Sequence, residues 1–295
     1  DHVARCIMRE VKAGRGSPHG GVFLDIAWIK ERIPNAPEHI RKKLPSMYHQ
    51  FKELAGLDIT TDPMEIGPTT HYVMGGVRVD GDTQMSSLPG LFAAGECAAG
   101  INGANRLGGN SLSDLLVFGK RAGEHAAIFA KANGAVSIDE RQVEAAVKRS
   151  LEPFERANAQ ENPFKVQQDL QGMMQDLVGI VRVEDEMRRA LTGLEGLKKR
   201  AEQVGVTGHR EFNTGWHASQ DLGNLLMVSE SIARSAIERK ESRGGHFRQD
   251  YPEKDPAYAT FNIVVKRGAD GEMQVSRAPI APMPAELQQV IEENK

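Results

Sequence analysis

Gly100-Ile101-Asn102-Gly103-Ala104-Asn105-Arg106-Leu107-Gly108-Gly109-Asn110-Ser111 is too rich in glycine and asparagine to be helical. Directly after it, Leu112, Leu115, Leu116, Gly119, Ala122, Gly123 and Ala126 recur at helical spacing. The small residues on that face predict a helix able to lie close against a sheet. Asn110 or Ser111 is expected to cap its amino end through a side-chain oxygen. A glycine-rich loop entering a helix offers backbone N–H groups and the positive end of the helix dipole to negative charge.

The anion is not expected to be a nucleotide phosphate held by a Walker loop. That loop needs lysine and then serine or threonine after its second glycine, whereas Gly109 is followed by Asn110-Ser111. No G-x-G-x-x-G occurs either. What remains is a carboxylate, or the charge that develops along the N1 and O2 edge of a reduced flavin.

Upstream, residues 59 to 99 read as short apolar strands and turns, among them Gly75-Gly76-Val77-Arg78-Val79-Asp80-Gly81 and Leu91-Phe92-Ala93-Ala94-Gly95-Glu96. The second is apolar on both faces, as in a strand buried between layers, and ends on a glycine followed by an acid. Ligands of open α/β folds gather at such strand ends. Before it, Val3, Ile7 and Met8 mark a helical face that stops in the glycine-rich stretch from Gly14 to Gly21. A short strand over 21–26 follows, then helical segments over 28–32 and 39–55, separated by Pro34 and Pro37.

Downstream, helical periodicity covers 139–153, 164–205 and 220–239, which predicts a bundle. Met173, Met174, Leu177, Val178 and Val181 are expected to fill its core rather than line a cofactor pocket. Phe261 to Lys266, Gly268 to Gly271 and Met273 to Val275 predict a closing β-hairpin.

Composition narrows the function classes. The chain has 295 residues, 40% hydrophobic and 26% charged, enough for two or three compact units. A net charge of −3 with interspersed signs gives no basic face for nucleic acid or an anionic membrane surface. Cys6 and Cys97 form no C-x-x-C pair or Cys/His cluster of metal spacing, so no metal site is expected from this chain. No apolar run approaches the roughly 20 residues of a membrane span. The helical spacing already present at Asp1, with no initiator methionine, predicts that the sequence is cut from a longer chain.

With these motifs in view, Gly103-Ala104-Asn105-Arg106-Leu107-Gly108-Gly109-Asn110-Ser111-Leu112 resembles the signature loop of succinate dehydrogenase and fumarate reductase flavoprotein subunits. Thr70-His71-Tyr72-Val73-Met74-Gly75-Gly76, Pro89-Gly90-Leu91-Phe92-Ala93-Ala94-Gly95-Glu96, and Glu241-Ser242-Arg243-Gly244-Gly245-His246 with Asp250-Tyr251-Pro252 stand in that family's order. The resemblance implies an α/β plus helical fold. Its expected parts are the end of a capping domain over 1–69 and the returning part of an FAD-binding domain over 70–132. A helical bundle over 133–242 and a small α+β carboxy-terminal domain over 243–295 complete it.

The same resemblance implies residue roles. Arg106 matches the arginine that clamps a substrate carboxylate, a task suited to its planar two-pronged donor. His71, just before a double glycine, matches the histidine that hydrogen-bonds the substrate. Glu96 matches the acid holding hydroxyls of the ribityl or ribose part of FAD, and Ser111 and Leu112 match helix-start residues facing the flavin ring through their backbone. Tyr72 and Gly95 rank as further contacts. Outside this motif setting, a lone arginine, histidine or glutamate of this kind would read as a solvated or structural group.

The implied reaction is hydride transfer between flavin N5 and a central carbon of succinate or fumarate, with electrons leaving for an iron-sulfur subunit and, through a membrane anchor subunit, for quinone. The subunit is then expected to be peripheral, on the cytoplasmic side of the cell membrane. The family's proton-transfer arginine aligns immediately before Asp1, so the isolated chain is expected to be inactive. L-aspartate oxidase is the alternative within the superfamily, but it usually carries Met-Ala-Ser where Leu107-Gly108-Gly109 stands. A non-catalytic helical interaction module is the alternative outside it.

Overall fold

The computed structural model describes residues 2–156 and 158–294, and it divides into two compact units, Asp1–Val73 and Met74–Lys295.

In the first unit, α1 (His2–Glu10) runs into a kinked turn over Val11–Arg15, and β1 (Val22–Leu24) pairs antiparallel with β2 (Met64–Ile66), Phe23 opposite Glu65. Between them lie a 3₁₀ turn (Ala27–Glu31), α2 (Ala36–Lys43) and α3 (Pro45–Ala55). The single helix expected over 39–55 is therefore two. Leu44 adopts φ −128° and ψ 50°, because the ring of Pro45 disfavours helical backbone in the residue before it. Ile40, Ile59 and Met64 form the core, with Ile26, Ile29, Tyr48, Phe51, Leu57 and Ile66 packed around them.

The second unit opens with paired turns rather than continuous strands. Val77 bridges Ala98 in parallel, and Val79–Ser86 and Met85–Phe92 are antiparallel bridges. The strand expected over 91–96 is thus reduced to bridge partners ending in a 3₁₀ turn, Gly95–Cys97. Ala93 and Gly95 are buried, Phe92 and Ala94 half-buried and Leu91 exposed, so the segment is covered only in part within the chain.

The helix read from the glycine loop is α4 (Asn110–Asn133). Neither Asn110 nor Ser111 caps it. Gly109 occupies the cap position in left-handed backbone (φ +87°) and Asn110 is already helical. Leu112, Leu115, Leu116, Val117 and Ile128 are exposed, so the expected packing of this face on a sheet is not made by this chain.

A four-helix cluster follows: α5 (Glu140–Glu155), α6 (Pro163–Leu177), α7 (Glu184–Ala201) and α8 (Thr214–Glu238). The run expected over 164–205 breaks between α6 and α7, and α8 starts six residues before the expected 220. Asn162 and Asn213 accept from Lys165 N–H and Trp216 N–H, closing the amino ends of α6 and α8. Val166, Leu170, Leu194, Leu197, Val204, Leu222 and Leu226 make one core. Val178, Met187, Ala190, Ala233 and Ala236 make a second. Met173, Met174 and Leu177 pack against these cores and Val181 is buried, so the methionine stripe does fill core.

The expected hairpin is present as β3 (Phe261–Arg267) and β4 (Met273–Pro279), paired with Val264 opposite Ser276. A final helix, α9 (Ala285–Glu293), was not expected. Among the described residues no helix is long and apolar enough to cross a membrane.

Candidate functional site

The glycine-rich loop delivers Arg106 to the mouth of α4. Its Nη1 donates to the carbonyl of Leu107 at 3.1 Å, and the side chain is half-buried. Asn110 N–H donates to Leu107 O at 3.2 Å and Leu112 N–H to Gly109 O at 3.2 Å, so the loop winds directly into the first turn. Ser111 is half-buried there and Leu112 is exposed. The first turn of α4 carries no acidic side chain, which leaves the positive end of the helix dipole uncompensated. A Cβ added at Gly100, Gly103, Gly108 or Gly109 would meet nothing within 4 Å, so the loop backbone borders open space. A flat, electron-rich ring fits such a surface, because it needs both close backbone approach and donors at one edge.

Gly95 and Glu96 lie in the 3₁₀ turn that abuts this helix. Gly95 has φ +74°, and a Cβ there would stand 2.6 Å from Leu115 Cδ2, so the turn reaches α4 only because the side chain is absent. Glu96 is exposed at the end of the segment. Gly95, Glu96, Arg106, Ser111 and Leu112 thus belong to one unit, on the turn, the loop and the first helical turn. His71 and Tyr72 belong to the other unit, His71 exposed and Tyr72 half-buried, because the division between units falls inside the Thr70–Gly76 motif. Among the described residues no group of three or more His, Cys, Asp or Glu is arranged to hold a metal ion.

Sequence reasoning passed over the partner that holds the arginine loop. Gly245 N–H donates to Ala104 O at 3.0 Å. Glu241 to His246 had entered only as a family motif, and its signal was the Gly244-Gly245 pair, which permits close backbone approach. This segment is densely hydrogen-bonded. The fully buried Glu241 carboxylate accepts from Arg239 Nη1 at 2.6 Å, from Arg243 Nε and Nη2 at 2.8 and 2.9 Å and from Asp255 N–H at 2.9 Å. Burial opposes its ionisation, but these donors outweigh burial and bring its pKa down to about 2. Arg248, also fully buried, meets Asp250 through two 2.7 Å hydrogen bonds and donates to Ala236 O at 2.8 Å and Ile237 O at 3.2 Å. It therefore closes the carboxyl end of α8. Asp250 accepts from Glu184 N–H at 3.0 Å and closes the amino end of α7, while Arg182 Nε donates to Val178 O and Gly179 O just past α6.

Two family models match the chain, one toward each end. Residues 1–112 match the family model described as "FAD binding domain", and residues 167–291 match "Fumarate reductase flavoprotein C-term". The chain belongs to the succinate dehydrogenase and fumarate reductase flavoprotein family. Among solved structures it is similar to Mycobacterium smegmatis Sdh1 in complex with UQ1, at 51% identity and TM-score 0.89, covering 99% of this chain and 49% of that one. It is also similar to the flavoprotein of E. coli quinol fumarate reductase, at 31% identity and TM-score 0.84, covering 96% and 49%. The succinate dehydrogenase flavoprotein subunit of Coxiella burnetii is 37% identical over 271 residues, 87% of this chain and 45% of that protein. The chain spans about half the length of the relatives it matches. The fold expectation, a flavin-binding portion joined to a helical one, stands, and so does the cofactor expectation of FAD.

Proposed function

We propose that this chain is the carboxy-terminal half of the flavoprotein subunit of an FAD-dependent succinate dehydrogenase or fumarate reductase. The observation that carries the reading is Arg106 on an open glycine loop entering a helix with no acid in its first turn. That arrangement concentrates donors and positive potential where a dicarboxylate and a flavin edge would meet.

FAD, when bound, supplies the hydride acceptor or donor at its N5. Arg106 would grip one substrate carboxylate through parallel hydrogen bonds and so orient the substrate for the transfer. His71 hydrogen-bonds the substrate. Glu96 would hold ribityl or ribose hydroxyls of FAD and the backbone at Ser111 and Leu112 would donate to the flavin ring, with Gly95 and Tyr72 as further contacts. An iron-sulfur subunit takes the electrons and a membrane anchor subunit passes them to quinone, with this subunit peripheral on the cytoplasmic side. Domain boundaries near residues 69, 132 and 242 belong to the same proposal, as does inactivity of the chain taken alone.

The deciding experiment measures succinate:acceptor activity of the full-length subunit with its iron-sulfur partner, wild type against Arg106→Lys, with L-aspartate in parallel. Succinate turnover that Arg106→Lys lowers at least 100-fold in kcat/KM, with FAD still bound, is expected. Turnover of aspartate alone, or absence of FAD from the wild type, overturns the assignment.

A further inference from the structure

The carbonyl of Ala104, two residues before Arg106, is held from outside its own loop. Gly245 N–H donates to it at 3.0 Å. Gly244 adopts φ +59°, and any Cβ there would overlap the same carbonyl and the Ala104 side chain. The turn that reaches in is closed by reciprocal backbone hydrogen bonds, Arg243 N–H to His246 O at 2.8 Å and His246 N–H to Arg243 O at 3.1 Å. It is anchored on one side by the buried Glu241 carboxylate, which binds Arg243, and on the other by His246, whose ring nitrogens meet Arg182 Nη1 and Arg239 O, each at 3.0 Å. The arginine loop is made of the opposite material. Gly103 and Gly109 are in left-handed backbone (φ +56° and +87°), and neither has a neighbour that a Cβ would touch. Such a loop has many conformations to lose, so where Arg106 points depends on its tether.

We propose that the Arg243–His246 turn is a positioning element for Arg106. By clamping Ala104 O it fixes the direction in which the guanidinium leaves the loop, and thereby sets affinity for a dicarboxylate without touching it. The proposal rests on the reading of Arg106 as a carboxylate clamp. A displacement near 1 Å at a positioning group is enough to cost up to about 100-fold. Because coupling is reciprocal, a dicarboxylate on Arg106 must also stabilise the Gly245 to Ala104 hydrogen bond.

Gly244→Ala and Gly245→Ala, adjacent single-methyl additions, separate this from general damage. A Cβ on Gly245 stands 3.9 Å from Ala104 O and leaves the N–H in place. In the full-length subunit with its iron-sulfur partner, Gly244→Ala is expected to raise the KM for succinate about tenfold or more. Its kcat should move less than its KM, with FAD content retained and the thermal midpoint lowered by the left-handed backbone strain, whereas Gly245→Ala stays within about twofold in KM. A wild-type KM in Gly244→Ala, or equal effects of the two variants, overturns the proposal. A second measurement needs no variant. Addition of succinate to the wild-type holoenzyme should slow hydrogen exchange in peptides covering 241–249 together with those covering 100–109, and protection confined to 100–109 overturns the coupling. If Arg106→Lys leaves the succinate KM unchanged, the clamp assignment fails and takes this proposal with it. Failure of the glycine tests alone removes only the positioning role.

Discussion

Replacing His246 by glutamine should remove a specific part of the acid sensitivity of the fold. His246 Nδ1 faces the Arg182 guanidinium, which can only donate, so Nδ1 accepts and the ring hydrogen sits on Nε2, donating to Arg239 O. Burial pushes the imidazole pKa down from 6.5 to about 4; the Arg239 carbonyl offsets this in part, and the charges of Arg182, Arg248 and Arg239 push it further down. A base with a depressed folded pKa contributes full stability above pH 6.5, its ordinary value, and loses it as pH falls through about 4. At about 1.4 kcal/mol per pH unit, the loss across that window is about 3 kcal/mol. Glutamine can donate to Arg239 O and accept from Arg182 while having no proton to gain. Urea unfolding of wild type and His246→Gln at pH 7.5 and pH 4.0 isolates the histidine, since other titrating groups cancel in the difference. Wild type should lose about 3 kcal/mol more than the variant. Equal losses would refute the buried, neutral assignment.

Two further outcomes follow from the same packing. Arg248→Ala removes a fully buried guanidinium and leaves the last carbonyls of α8 without their donor, so a loss of about 1–3 kcal/mol in chemical unfolding is expected; an unchanged unfolding midpoint would contradict its role in closing that helix end. Leu194→Ala empties a fully buried position between α6, α7 and α8 and should cost about 2–5 kcal/mol by the same assay.

Periodicity made the helical portion legible. Val166 and Leu170, Leu194 and Leu197, and Leu222 and Leu226 are each three or four residues apart on their own helices and meet in one core, and Gly268 to Gly271 between two β-rich runs announced the hairpin. Errors gathered where local rules compete. Leu44 breaks the single helix expected over 39–55, because the effect of the following proline outweighs the helical pattern. The 91–96 segment has the composition of a central strand, but strand identity depends on neighbours that a local pattern cannot supply. At the site, Arg106 and the helix start were readable because glycine, asparagine and arginine in that order carry their own chemistry. The clasp on Ala104 was not, since a backbone N–H leaves no mark on the sequence beyond a pair of glycines.

The segment from Gly244 to Asp250 ties helix ends that are far apart along the chain: Arg182 to His246 and Glu184 to Asp250 are separated by 64 and 66 residues. Closing loops of that length costs entropy before any of these bonds forms. The helices can gather by nearer contacts first, and the strap can lock only once all three ends are in place. Arg106 would then acquire its final direction among the last events of folding, so that a chain stalled short of that step would carry its helices and still lack a finished site.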